Sequence, residues 1–446
     1  MRKYMLVYQM LKEQIETGQL QAGQKISSIR SLSELLGVNK TTIIAALQML
    51  EQQHLIYAVP KSGYYVMDHL KMVEPKMNYA YDFATATPTW HAFPFQDFQH
   101  CINKAIDTYQ EELFNYGTPQ GMPALLNEGR VLLENYQVFS KPSQLFITSG
   151  IQQALFILSM MPFPNGGSTI LVEEPTYHLY LQQLQTYNLS VKGIKRNTEG
   201  IDLEELERIF QQGDIKFFYT MPRFHNPLGC SYDTATIKAI VKLAKTYNVY
   251  LVEDDYLADF EYRQRRDPLY AFDAEEMVIY LKSFSKIMFP GLRLGLVVLP
   301  SQLVPVFQKF KNTTDIDSSM VSQAALALYL KSGMFAHYQE KVSKAYIGRA
   351  KVLQEALENH LPEIEKATEL VMHTSLKVPP NINLGSLIED CRKNNVFIEA
   401  VNGNYLEGSY VDRILKLNVS NLHVDWIDGG IQLIAEQLRS SNHYFQ

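Results

Sequence analysis

Residues 280–295 of this 446-residue chain read YLKSFSKIMFPGLRLG. An apolar run from Met277 to Leu281 gives way here to small hydroxyl residues, then a lysine, a turn and an arginine. Hydroxyl groups donate hydrogen bonds to phosphate oxygens, the fork of an arginine fits phosphate, and a lysine in a partly dry pocket can become a nucleophile. The stretch therefore predicts a phosphate site beside a reactive lysine, with an ordinary loop and a solvated lysine as the alternative.

A second stretch lies upstream, at residues 247–252 (YNVYLV), and is typical of a buried parallel strand. Asp254 and Tyr256 follow it, at the carboxyl end where open α/β sheets bind ligands. A carboxylate there can keep the pyridine nitrogen of pyridoxal phosphate protonated, and a phenol can donate to the ring oxygen. Together with a lysine that can form a Schiff base, these groups favour pyridoxal phosphate as a cofactor. Solvated loop residues are the alternative for either stretch alone.

These two stretches carry a resemblance to known proteins. From about Asp82 to the C-terminus the chain resembles a fold-type I aminotransferase, and its first 68 residues resemble a GntR-type winged helix-turn-helix. The combination is similar to the MocR/GabR family of bacterial transcriptional regulators. The resemblance predicts an N-terminal winged helix-turn-helix domain (1–68), a linker (69–81) and an α/β aminotransferase-like domain with a mainly parallel sheet (82–446).

Length and composition set broad limits on the function. A chain of 446 residues predicts two or three domains. Its three cysteines (Cys101, Cys230 and Cys391) are widely spaced without a CxxC pair, so neither a disulfide framework nor a metal site is predicted. No stretch has the pattern of a signal peptide or approaches the roughly 20 apolar residues of a membrane span. We therefore expect a cytoplasmic protein with no membrane partner.

The net charge of −6 is unevenly distributed along the chain. Residues 1–68 hold seven lysines and arginines against five acidic residues, a net charge of +2, which leaves −8 on the remainder. A basic N-terminal part on an acidic remainder fits contact with nucleic acid through the N-terminal part alone.

The N-terminal residues have the pattern of a helix-turn-helix with a wing. Helical spacing predicts helices at 4–17, 28–36 and 40–53, with Gly37-Val38-Asn39 as the turn and Asn39 as an N-cap. Two short strands are predicted at 55–57 and 63–66, around residues 60–62. The GntR resemblance implies that a DNA operator is contacted by Arg30, Lys40, Thr41, Thr42, Lys61 and Ser62. A helical protein-interaction module with a solvated basic face is the alternative.

Beyond the linker, apolar strands alternate with amphipathic helices, which predicts a mainly parallel sheet covered on both faces. Strands are predicted at 145–148, 169–172, 216–220, 249–252, 278–281 and 296–299. A final segment, from about 330 to 446, is typical of a smaller α/β part.

The aminotransferase resemblance implies a role for each matching residue. Lys286 would form the Schiff base, and Asp254 and Tyr256 would face the pyridine nitrogen and the ring oxygen. Glycine and free backbone N–H groups at a helix N-terminus favour an anion. The phosphate would accordingly be bound by Ser283, Ser285, Arg293, Gly150, Ile151 and Gln152.

Three further motifs belong to the same resemblance. In EEPTY, Tyr177 would lie beside the cofactor ring, and in HNPLG, Asn226 would donate to the ring oxygen while His225 is predicted to be structural. In NYGTPQG, Tyr116 resembles a tyrosine that reaches the phosphate of the neighbouring subunit. The pocket would then be complete only in a homodimer.

Two positions depart from the family pattern. Where fold-type I aminotransferases hold the substrate carboxylate with an arginine, this chain has Lys416, which keeps the charge but loses the bidentate fork. Arg413 lies three residues away and is the second candidate for the effector carboxylate. Leu179 stands where GABA-responsive relatives have a further arginine, so the sequence argues against a GABA-like effector.

Two functions are consistent with these residues. The first is a pyridoxal-phosphate-dependent regulator that binds DNA and senses a small-molecule effector, either an amino compound or pyridoxal phosphate itself. The second is a working aminotransferase with an accessory DNA-binding domain, which Lys416 disfavours. Steady turnover of an amino donor and a keto acid would indicate the second.

Overall fold

The computed structural model describes residues 3–21, 23–52, 55–59, 63–66, 81–88, 92–260, 266–367 and 369–443. Contacts divide the chain into two units, Met1–Tyr79 and Ala80–Gln446, called the head and the body below. The predicted turn of the wing at 60–62, with Lys61 and Ser62, lies outside the described residues, as do residues 69–80 of the predicted linker.

The described part of the head contains α1 (Lys3–Glu16), α2 (Ile29–Leu36), α3 (Lys40–Gln52) and a hairpin of β1 (Ile56–Val59) and β2 (Gly63–Val66). The side chain of Ser28 caps α2 by accepting a hydrogen bond from the N–H of Ser31 at 3.1 Å. Gly37 ends α2 in the left-handed region, with φ of 60°, which glycine adopts without strain. The predicted helix-turn-helix and both strands of its wing are confirmed.

Helices and strands alternate along most of the body. Its helices are α4 (Phe95–Thr108), α5 (Pro123–Glu134), α6 (Ile151–Met160), α7 (His178–Thr186), α8 (Leu203–Gln211), α9 (Thr234–Tyr247), α10 (Val304–Thr314), α11 (Met320–Lys331), α12 (Met334–His360), α13 (Leu384–Lys393) and α14 (Val424–His443). Its strands are β3 (Tyr81–Asp82), β4 (Leu145–Thr148), β5 (Thr169–Glu174), β6 (Val191–Asn197), β7 (Gly200–Ile201), β8 (Ile215–Thr220), β9 (Tyr250–Asp254), β10 (Val278–Ser283), β11 (Gly295–Val298), β12 (His373–Lys377), β13 (Val396–Phe397), β14 (Glu399–Ala400) and β15 (Ile414–Asn418).

The large sheet has the strand order β4-β11-β10-β9-β8-β5-β6-β7 within the described residues. Its five central strands, from β10 to β6, pair in parallel, while β11 runs antiparallel between β10 and β4. Every residue of β4, β8, β9, β10 and β11 is buried, because helices cover both faces. The mainly parallel sheet and all six predicted strands are confirmed, with ends shifted by one or two residues.

The C-terminal part of the body is built on a second, smaller sheet. Strands β12, β15 and β14 pair antiparallel in that order, and β13 pairs with β3. Tyr81, which the sequence assigned to the linker, begins β3 and therefore belongs to the body. The predicted smaller α/β part is confirmed. Among the described residues, no helix combines the length and the apolar character needed to cross a membrane.

Candidate cofactor and ligand site

The strand directions of the large sheet bring distant motifs to one edge. Strands β4, β5, β8, β9 and β10 all run the same way, so their carboxyl ends lie along that edge. Gly150 follows β4, Tyr177 follows β5, Asn226 follows β8, and Asp254 and Ser283 end β9 and β10. In open α/β sheets this edge is where ligands bind.

A cavity of about 340 Å³ opens at this edge. Twelve of the residues predicted from the sequence line it: Gly150, Ile151, Gln152, Tyr177, Asn226, Asp254, Tyr256, Ser283, Ser285, Lys286, Arg293 and Lys416. Leu179, which departs from the pattern of GABA-responsive relatives, also lines it, and the structure adds seven more lining residues: Ala86, His178, Met221, Pro290, Met372, His373 and Asn418. Motifs spread over nearly 270 residues of sequence therefore meet in one pocket.

Lys286 lies in this cavity with its Nζ donating a hydrogen bond to the carbonyl of Ala86. Burial lowers the pKa of this amine to about 8, and the positive charge of Lys416 adds to the effect. Since an ordinary lysine has a pKa of about 10.4, roughly a tenth of the Lys286 amines would be neutral at pH 7 instead of fewer than one in a thousand. A neutral amine is what attack on an aldehyde requires.

Asp254 presents one carboxylate oxygen to a partner that the described residues do not supply. Its Oδ2 accepts a hydrogen bond from the hydroxyl of the buried Tyr219 at 2.7 Å. Its Oδ1 is buried and accepts no hydrogen bond from any described residue. Burial raises the pKa of Asp254 to about 7. An N–H cation, such as a protonated pyridine nitrogen, would satisfy Oδ1 and restore the charged carboxylate.

A second group of lining residues suits a phosphate. Gly150 has φ of 79°, and a Cβ atom there would lie 3.2 Å from Nη2 of Arg293, so glycine allows the guanidinium to approach the backbone closely. The same Nη2 donates to the carbonyl of Ser149 at 3.2 Å. Helix α6 begins at Ile151, where its first N–H groups have no partner within the helix, and Ile151, Ser283 and Ser285 all line the cavity. The residues present fit pyridoxal phosphate, since they include a partner for its ring nitrogen and partners for its phosphate.

Aromatic and amide side chains complete the predicted set. The amide Nε2 of Gln152 donates to the hydroxyl of Tyr177 at 3.3 Å. Oδ1 of Asn226 is buried and has no hydrogen-bond partner among the described residues. The hydroxyl of Tyr256 donates to the carbonyl of Phe224 at 2.9 Å, so donation to a cofactor oxygen would have to replace or share that bond.

The two candidate contacts for the effector carboxylate occupy different places. Lys416, in the middle of β15, lies between Ser375 of β12 and Glu399 of β14 and lines the cavity. Burial lowers its pKa, and the nearby Glu399 carboxylate opposes that shift. Arg413 does not line the cavity, and its Nη2 donates to the carbonyl of Ile382. The structure therefore brings only Lys416 into the site.

Tyr116 also lies outside the cavity. Its side chain is exposed, with 84% of its surface accessible, and the next residue, Gly117, donates its N–H to Oδ2 of Asp317 at 2.6 Å. An exposed tyrosine is available to a neighbouring subunit, but its role there stays a prediction.

Sequence patterns missed several residues that support the site. His373 is buried and donates from Nε2 to the carbonyl of His225 at 2.9 Å. His225, which the sequence predicted to be structural, is buried beside Glu173 (3.2 Å), and Glu173 also pairs with Arg196. This cluster anchors the loop that carries Asn226. Tyr219 was missed because it lies inside an apolar strand, and only the pairing of β8 with β9 places its hydroxyl against Asp254.

In the head, the predicted DNA contacts that the structure describes lie at the surface. Arg30 and Lys40 are exposed, Thr41 is exposed and Thr42 is half-buried. Nε of Arg30 pairs with Oε1 of Glu34 at 3.0 Å, although both side chains are mostly accessible. Exposed i,i+4 pairs contribute only about 0.3–0.5 kcal/mol, so phosphate can displace this one at little cost.

Comparison with known proteins matches both parts of the chain. Residues 91–407 match the family "Aminotransferase class I and II", and residues 3–66 match "Bacterial regulatory proteins, gntR family". The uncharacterized HTH-type transcriptional regulator YcxD of Bacillus subtilis (strain 168) is 46% identical over 444 residues, covering 98% of this chain and 100% of that protein. The probable rhizopine catabolism regulatory protein MocR of Rhizobium meliloti is 25% identical over 386 residues, covering 80% and 77%.

A solved structure supports the fold of the body. The crystal structure of Pyrococcus horikoshii kynurenine aminotransferase, in complex with PMP, superimposes with a TM-score of 0.74 at 27% identity. The match covers 81% of this chain and 91% of that one. The fold that places the twelve lining residues is thus shared with a protein that holds a form of the same cofactor.

Proposed function

This chain belongs to the MocR-type family of HTH-type transcriptional regulators, with a gntR-family head and a class I and II aminotransferase body, and we propose that it regulates transcription by sensing a ligand at a pyridoxal phosphate site. The observation that carries the proposal is the cavity in which Lys286, Asp254 and Arg293 meet. The gntR-family head on the same chain supports the proposal that ligand binding at this site regulates transcription.

Each side chain of the cavity would have a defined task. When bound, pyridoxal phosphate supplies an aldehyde that holds amines covalently. Lys286 would provide the resident amine, Asp254 would accept a hydrogen bond from the ring nitrogen, and Arg293 would pair with the phosphate. Tyr177, Asn226 and Tyr256 would orient the ring, and the first N–H groups of α6 would bind phosphate oxygens.

The ligand would be an amino compound, with the cofactor itself as the other candidate. Lys416 would bind a carboxylate of the amino compound. A ligand changes the conformation of a protein only when it binds two conformations unequally, so the liganded body must favour one DNA-binding state of the head. We expect the bound ligand to change the affinity for DNA by a factor on the order of 5 to 150.

The finer assignments in the head and in the assembly are also proposals. Arg30, Lys40, Thr41, Thr42, Lys61 and Ser62 would contact DNA, the first two through backbone phosphates. Tyr116 would complete the pocket of a second subunit, so the working form would be a homodimer. A protein that binds operator DNA would act in the cytoplasm.

A paired measurement of colour and DNA affinity tests this function. Duplexes selected by the cofactor-loaded protein from a random pool serve as the DNA probe, and a set of amines is screened for changes in visible absorption. The compound that changes the absorption is expected to change DNA affinity, measured by fluorescence anisotropy. The Lys286→Ala variant should keep its DNA affinity and lose the response.

A working aminotransferase is the second candidate, favoured by the likeness to kynurenine aminotransferase. Steady formation of keto acid from the same amine, with DNA affinity unchanged by it, would establish turnover as the function and refute sensing.

A further inference from the structure

The charges around the cavity limit which ligands it can hold. Among the described lining residues, Asp254 is the one carboxylate, and Lys286, Arg293 and Lys416 are the lysines and arginines. Asp254, Lys286 and Arg293 lie where the cofactor needs them, as argued above. Lys416 is then the charged group left for a ligand.

The two histidines of the cavity do not add to that charge at neutral pH. Burial lowers the pKa of His373 to about 3, and the charge of Lys416 lowers it further. Burial also lowers the pKa of His178, helped by Lys416 and opposed by Glu399. The His373 ring is therefore uncharged at pH 7, and the shift at His178 favours its uncharged form as well.

Apart from the amide of Asn418, the remaining wall of the cavity is apolar. Leu179, next to His178 at the start of α7, and the buried Met221 and Met372 line it together with Ala86 and Pro290. Neither of the methionines can pair with a charge, and thioether side chains adapt to apolar groups of different shape.

We propose that the ligand is an amino monocarboxylic acid with an uncharged, apolar side chain, whose carboxylate pairs with Lys416 and whose side chain packs on Leu179, Met221 and Met372. This inference rests on the proposed function, because it assigns the ligand of that same site.

Charged side chains on the ligand would meet no partner in this pocket. A second carboxylate, as in glutamate, would be buried without a second cation. A second ammonium, as in lysine, would be buried near Lys286 and Lys416, while Asp254, the one lining carboxylate, is occupied by the cofactor. Each loss of a charge-assisted hydrogen bond weakens binding about tenfold or more.

A titration of the cofactor-loaded protein tests the ligand class. Leucine and phenylalanine are compared with glutamate, lysine and 4-aminobutyrate, and visible absorption reports binding. We expect leucine or phenylalanine to give half-maximal change at a concentration at least about tenfold below the others. 3-Methylbutylamine, which is leucine without its carboxylate, isolates the contribution of Lys416 and should bind about tenfold more weakly than leucine.

Two variants make the assignment specific to named residues. Lys416→Met should weaken leucine binding about tenfold and leave the binding of 3-methylbutylamine unchanged. Lys416→Arg should keep leucine binding. Leu179→Arg should strengthen the binding of glutamate and weaken the binding of leucine. The ratio of the two ligands is compared within each variant, so a general loss of stability does not mimic the result.

The outcomes separate this inference from the function on which it rests. Tighter binding of glutamate, lysine or 4-aminobutyrate than of leucine and phenylalanine would overturn the ligand class while leaving amine sensing intact. A visible band that no amine alters would instead overturn amine sensing, and the ligand class with it.

Discussion

The head and the body use charged residues in opposite ways. In the head, Arg30 and Lys40 stand at the surface, and the side chain of Arg30 is 80% accessible. In the body, Lys286, Asp254 and Lys416 line a cavity, and burial changes the pKa of each. Exposed cations act through their charge alone, whereas buried groups act through their protonation as well.

The contrast follows from what each part would have to bind. DNA phosphates bind to cations at the protein surface, where binding releases counterions and the protein does not need to hold a buried charge. A small amine and a cofactor are enclosed, so the pocket has to shift protonation before it can react. Changes in the body should therefore alter colour and pH dependence, and changes in the head should alter salt dependence.

The largest effect should come from Lys286→Ala, which removes the amine that would hold the cofactor. We expect complete loss of the visible band that borohydride can reduce, with unchanged affinity for the selected duplex. Absorption spectra before and after reduction, and anisotropy with DNA, measure the two. A variant that keeps the reducible band would show that another lysine holds the cofactor.

Tyr219→Phe should weaken cofactor binding, although Tyr219 does not itself line the cavity. The hydroxyl of Tyr219 keeps the pKa of Asp254 from rising further, so its removal should leave the carboxyl protonated at higher pH. We expect about tenfold weaker cofactor binding at pH 7, with the acid limb of its pH profile moved upward, measured by quenching of protein fluorescence.

Tyr180→Phe is the matched control for that variant. The ring of Tyr180 lies 4.7 Å from the Tyr219 ring, but its hydroxyl bonds to Ser159 instead of Asp254. An equal upward move of the pH profile in both variants would mean that packing, and not the hydrogen bond to Asp254, sets the protonation.

Arg30→Ala and Lys40→Ala should each weaken DNA binding roughly fivefold at moderate salt and reduce the salt slope by about one, because each would remove a phosphate contact. The cofactor content should not change. Lys12→Ala, which removes a cation of α1 near the Tyr8 ring, serves as the control. If all three variants bind DNA equally well, the predicted face of the head is not the one that meets DNA.

The smallest effect should come from Lys416→Met on the reactivity of Lys286. A neighbouring cation disfavours the charged amine, so its removal should raise the pKa of Lys286 above about 8. We expect the pH midpoint for capture of added pyridoxal phosphate to rise, and the rate at pH 7 to fall, because a smaller fraction of the amine is neutral. Stopped-flow absorption measures the rate.

Lys377→Met is the control for the loss of a positive charge in Lys416→Met. Lys377 lies on β12 of the small sheet, is exposed and pairs with Glu365 outside the cavity. A midpoint that moves equally in both variants would show that the pocket does not isolate the effect of Lys416.

The agreement between sequence and structure depends on how local each signal is. Ser28 and Gly37 bound α2 through hydrogen bonds within a few residues, so their pattern predicted the turn. The buried strands were predicted because their apolar runs are continuous. Strand β6 (VKGIKRN) was missed, since it lies near the sheet edge, is only partly buried and contains glycine and three basic residues.

The partners within the site show the limit of the same reasoning. Tyr219 belongs to an apolar strand, and nothing near it in sequence pairs it with Asp254. His373 and Asn418, which also line the cavity, lie on paired strands of a sheet that forms only when distant segments meet. Arg413 and Lys416 are three residues apart, yet only Lys416 faces the cavity.

The sequence by itself determined the order of the domains, the helix-turn-helix, the parallel strands and most residues that line the cavity, because each rests on short-range periodicity or a local motif. The tertiary structure alone decided that Lys416 and not Arg413 lines the cavity, that Tyr219 bonds to Asp254, and that burial lowers the pKa of Lys286. Those properties depend on burial and on distances between strands far apart in the chain. Burial shifts a pKa because it disfavours the charged form of the group.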